Sequence, residues 1–86
     1  MPELVRFDGL VIVMFYYDSR HHNKPHVHVF YGDCEASIGL NGEILAGSLP
    51  VKQAKQEKGW SLEHEFELRK AWNLAVRGES FDDIRF

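Results

Sequence analysis

The stretch His26-Val27-His28-Val29-Phe30-Tyr31-Gly32-Asp33-Cys34-Glu35-Ala36-Ser37-Ile38-Gly39-Leu40 decides the fold. Two runs rich in strand-forming residues flank Gly32-Asp33, a two-residue turn signal, and together they predict a β-hairpin. With that turn, Tyr31 faces Cys34, Phe30 faces Glu35, His28 faces Ser37 and His26 faces Gly39. Side chains alternate across a strand, so His26, His28, Phe30, Glu35 and Ser37 emerge on one face. Val27, Val29, Tyr31, Ala36 and Ile38 emerge on the other, the better core face.

The pattern extends in both directions. Asn41-Gly42 is the strongest type I′ turn signal in the chain and predicts a further strand over 43–46. Upstream, Asp8-Gly9 closes a short apolar stretch at 4–7. The run Leu10-Val11-Ile12-Val13-Met14-Phe15-Tyr16-Tyr17 follows without alternation, which suits a strand covered on both faces. Residues 18–25 read as a polar loop. The result is an antiparallel meander of three to five strands over 4–46.

After Gly47-Ser48-Leu49-Pro50 the pattern becomes helical, with Pro50 suited to a first helical position. A short helix is expected to reach Lys58 and to be interrupted at Gly59. Ser61, followed by Glu63 and Glu65, predicts the N-cap of a second helix that runs to Arg77 and stops at Gly78. On that helix Leu62 and Phe66 share one stripe, and Leu68, Trp72, Ala75 and Val76 form a broader one. Glu63, Glu67, Lys70 and Arg77 are expected to face water. Trp60 and Trp72 read as core pieces, and Glu65 with Arg69 as an ion pair at the core edge. Phe81, Ile84 and Phe86 let the tail dock. The expectation is an α+β fold in a single domain over 1–86, with helices of the 50–77 segment packed on one face of the meander and a tail at 79–86.

Composition bounds the function. Eighty-six residues, 44% hydrophobic and 27% charged, suit one globular domain. No run approaches the roughly 18 apolar residues of a membrane span. The start of the sequence lacks the features of a signal peptide, so a cytoplasmic location is expected. Cys34 is the only cysteine, which excludes an internal disulfide and a cysteine-based zinc site. A net charge of −3 does not favour nucleic acid as a partner, although Arg20, His21, His22 and Lys24 form one basic cluster. A strand with no wet face needs cover on both sides, so a protein partner or a homodimer is expected.

The polar face of the hairpin is the candidate site. His26 and His28 can offer two imidazoles to one divalent metal, with Asp18 or His22 from the neighbouring loop as a third ligand. No cofactor is required by the sequence. The same histidines, with Arg20 or Lys24 beside them, suit acid–base cleavage of RNA without a metal. A third reading makes Asp18, His22, Pro25, His26, His28, Glu35 and Ser37 a ligand or partner patch. The bland alternative is a half-exposed sheet face bonded to water and Ser37.

These residues carry a resemblance. Asp18, then His22-Asn23-Lys24-Pro25-His26-Val27-His28, then Tyr31-Gly32, resembles the Asp-His-x-Pro-Pro-His-x-His…Tyr-Gly pattern of a bacterial family, domain of unknown function 4160. Arg6-Phe7-x-Gly9, Leu49-Pro50, Trp60, His64 and Glu67-Leu68-x-x-x-Trp72 fit the same family at matching separations. Lys24 departs from the pattern, standing where a proline is usual, and extra residues separate Asp18 from His22. The resemblance implies a small prokaryotic cytosolic protein, often encoded beside another small protein in a toxin–antitoxin-like pairing. It marks Asp18, Pro25, His26 and His28 as a motif and implies no activity. The leading expectation is therefore an interaction module of a two-protein system. A metal-dependent or histidine-based nuclease and a purely structural protein are the alternatives.

Overall fold

The computed structural model describes residues 3–15, 24–81 and 84. Five strands form one antiparallel sheet in chain order: β1 (Glu3–Phe7), β2 (Leu10–Val13), β3 (His26–Tyr31), β4 (Cys34–Gly39) and β5 (Ile44–Gly47). The β3–β4 register runs from Tyr31 opposite Cys34 to His26 opposite Gly39, as the Gly32-Asp33 turn dictates. At the first turn Asp8 and Gly9 both adopt positive φ, 49° and 82°, which matches the twist of the flanking strands. Asn41 Oδ1 accepts a hydrogen bond from the Glu43 backbone at 3.0 Å, closing the third turn.

Of the described residues of the eight-residue apolar run, Leu10–Val13 form the strand and Met14 and Phe15 lie beyond its end; Tyr16 and Tyr17 lie outside the described residues. Leu10, Ile12 and Met14 are buried toward the helices, and Val13 is buried on the opposite face. Val11 is half-buried.

Two helices follow, α1 (Val51–Glu63) and α2 (Glu65–Ala75). Their junction differs from the sequence expectation. Gly59 lies inside α1 in an ordinary helical conformation, and the break falls at His64, with φ −115° and ψ 22°. A glycine weakens a helix interior by about 1 kcal/mol, but it ends a helix only when it takes the left-handed conformation. Ser61 is no N-cap. It is buried in α1, and its hydroxyl donates to Glu57 Oε2 at 2.5 Å. The bend at His64 also re-aims the expected stripe, leaving Leu62 and Phe66 exposed at 53% and 81%.

The broader stripe behaves as the wheel requires: Leu68, Trp72 and Ala75 are buried and Val76 half-buried. With Trp60 they pack on Leu10, Ile12, Val27, Val29, Ala36 and Ile38 from one face of the sheet. Glu63, Glu67, Lys70 and Arg77 are exposed. The tail docks at Ile84, which is buried and donates its backbone N–H to Leu4 O at 3.0 Å. Phe86 lies outside the described residues. No helix among the described residues is long and apolar enough to cross a membrane.

Candidate functional site

The site begins with strand alternation. On β3 the odd-numbered residues Val27 and Val29 point into the core, so His26, His28 and Phe30 point the other way. The cross-strand register adds Glu35 and Ser37 from β4, and from β2 it adds Val13 opposite His28 and Val11 opposite Phe30. Arg6 of β1 pairs with Val11 and completes the row.

The two imidazoles meet. Their ring centroids are 5.2 Å apart at an interplanar angle of 70°. Their surroundings differ sharply. His26 is 0% exposed, at the end of β3 where the Trp72 ring of α2 comes within 5.2 Å. Its Nδ1–H donates to the Lys24 carbonyl at 2.8 Å, which sets the tautomer and leaves Nε2 as the basic nitrogen. His28 is half-buried, edge-on to Phe15 at 4.7 Å, with Ser37 Oγ lying 3.4 Å from its Nδ1. A half-exposed sheet face thus describes His28 but not His26, because α2 reaches the end of the strand and covers the ring. Pro25 is half-buried beside them, and it lines a cleft with Lys24, Leu40, Glu43 and Arg69.

An Nδ1–H held by a backbone carbonyl is the arrangement that orients a metal-binding imidazole through Nε2, so His26 fits the donor chemistry of a metal ligand. Among the described residues no three His, Cys, Asp or Glu side chains gather at one point. The remaining sequence candidates, Asp18, Arg20 and His22, lie outside the described residues. Glu35 is exposed at the Phe30 end of the row, away from the imidazoles.

Sequence reasoning missed Glu57. This carboxyl is 0% exposed in α1, and removal from water pushes its pKa up to about 7, opposed by the hydrogen bond from Ser61. The signal lay in the spacing: Glu57, Ser61, His64 and Leu68 follow one helical stripe, and Glu57 is the charged member of it.

The architecture is an antiparallel five-stranded sheet with two helices on one face and paired histidines on the other. The family model described as Domain of unknown function (DUF4160) matches residues 9–73, and the chain belongs to that family. No curated protein and no solved structure matches it.

Proposed function

We propose that the protein is a small interaction module, one half of a two-protein, toxin–antitoxin-like system, and that the sheet face opposite the helices recognises its partner. One observation carries this reading. Val11, Phe15 and Phe30 lie half-buried around His28, while Arg6 and Glu35 stand exposed beside them. An apolar and aromatic centre with charges at its edge is the anatomy of a protein interface. Both helices pack their apolar residues on the other face, and α2 reaches this one at His26 through Trp72.

The test is retention of a partner from the native host on immobilised protein, identified by mass spectrometry. The wild type and a Phe66→Ala variant are expected to retain the same small protein, and a His28→Ala/Phe30→Ala variant to lose it. Equal retention by the double variant rejects this face as the interface. Light scattering of the purified chain checks the alternative occupant, a second copy.

The carbonyl-held Nδ1 of His26 favours a second reading, a divalent metal bound through His26 and His28. Calorimetry with zinc, nickel and manganese decides it. Heat that disappears in His28→Ala supports a site, and equal heat in wild type and variant removes it.

A further inference from the structure

A second cleft lies at the other end of the molecule from His26. It is lined by Phe7 and Asp8 of the first turn and by Lys55, Gln56, Gly59, Trp60 and Glu63 of α1. Its floor is aromatic, with the Phe7 and Trp60 rings 6.2 Å apart and tilted by 34°. Buried polar atoms in folded proteins are nearly always hydrogen-bonded. Here Gln56 Oε1, Glu57 Oε1 and Trp60 Nε1 are buried with no hydrogen-bond partner among the described residues, and all three belong to successive turns of α1. Gln56 and Trp60, at i and i+4, form one ridge on the cleft wall. Trp60 is only 3% exposed.

The orientation of Gln56 is set by Asp8, whose Oδ2 accepts from Gln56 Nε2 at 3.3 Å, so the unpaired atom is the amide oxygen. That bond is long and exposed. Gly59 leaves room beside it. A Cβ built there meets nothing within 4 Å among the described residues, and its backbone is ordinary helix, so neither packing among those residues nor conformation requires a glycine. The wall residues therefore carry one unpaired donor, Trp60 Nε1–H, and one unpaired acceptor, Gln56 Oε1, both buried beside an aromatic floor. An amide supplies the matching acceptor and donor in one planar group.

We propose that this cleft binds a planar amide as Gln56 swings off Asp8, with Trp60 Nε1–H donating to its carbonyl oxygen and Gln56 Oε1 accepting from its N–H. The group can belong to a free aromatic amide or to a peptide bond, and two probes separate these sources. The chain has two tryptophans, so ¹⁵N-labelled protein gives two indole N–H signals. The probes are benzamide and a blocked glycine, N-acetylglycine N-methylamide, with toluene as the amide-free control.

A saturable downfield shift of the Trp60 signal is expected, with the Trp72 signal unmoved. Tighter binding of benzamide assigns a free aromatic amide, and tighter binding of the blocked glycine assigns a peptide. Gly59→Leu places a side chain on the wall without straining the helix, and it is expected to weaken binding about tenfold with the thermal melt preserved. No saturable shift with either amide overturns the proposal. So does an equal response to toluene, or undiminished binding by Gly59→Leu.

Discussion

The two helices lie against the same sheet face and are held there by different chemistry. Helix α2 buries Leu68, Ala71, Trp72 and Ala75, all apolar or aromatic. Helix α1 buries Glu57, Trp60 and Ser61. The first contact rests on removal of apolar surface from water, which is insensitive to pH. The second places a carboxyl out of water and is stable only while that carboxyl stays neutral or its hydroxyl partner compensates. A helix can therefore sit in a protein core without the periodic apolar stripe that usually announces it.

The largest test of this contrast is removal of the α2 anchor. Trp72→Ala is expected to lower unfolding stability by about 3–5 kcal/mol in urea titration. A loss near 1 kcal/mol would mean that α2 contributes little to the packed layer.

Next comes the pH dependence of α1. Glu57 has a folded pKa of about 7 against an ordinary value of 4.5. Between these values the folded state binds more protons than the unfolded chain, so stability is fully present below about pH 4.5 and declines as pH rises through 7. The loss on reaching pH 8 is on the order of 3 kcal/mol. Glu57→Gln keeps a neutral acceptor for Ser61 and should remove most of this slope in chemical denaturation at pH 5 and pH 8. An unchanged slope would assign the pH dependence to other groups.

Smaller effects sharpen the picture. Gly59→Ala is expected to raise stability by about 0.5–1 kcal/mol, since a helical glycine with open space beside it gains helix propensity without a clash. Gly47→Ala should do the opposite, because φ is +76° and the added Cβ would lie 2.2 Å from Glu35 O. The smallest effect belongs to the exposed Glu65–Arg69 pair, 3.0 Å apart. Arg69→Ala should cost no more than about 0.5 kcal/mol, within reach only of careful thermal melts.

The same contrast explains what the sequence disclosed. The sheet was legible because Gly32-Asp33 forms a two-residue turn that sets the β3–β4 register. Asn41-Gly42 marked a turn but not its type: only Gly42 takes positive φ, so the expected type I′ turn is not formed, and the β4–β5 register shifts between Ser37 and Ile38. Helix α2 was legible from the spacing of Leu68, Trp72 and Ala75. The extent of α1 was not, since a glycine in the middle of a helix and a serine before two glutamates imitate a stop and a start. Glu57 was hidden for a related reason: a charged residue inside a helical pattern is ordinarily on the wet side, and only tertiary packing reverses that. The common face of His26 and His28 followed from alternation, whereas the burial of His26 came from Trp72, forty-six positions along the chain.

With the helices packed on one face, the proposed recognition surface is the other, and a chemical-shift map is its sharpest test. Labelled protein would be titrated with the partner it retains from the native host, and the backbone signals followed residue by residue. The largest changes are expected at Val11, His28, Phe30, Glu35 and Ser37, with the exposed helix residues Leu62 and Phe66 unmoved. Changes centred on Leu62 and Phe66, with the β3–β4 face silent, would contradict the proposed surface.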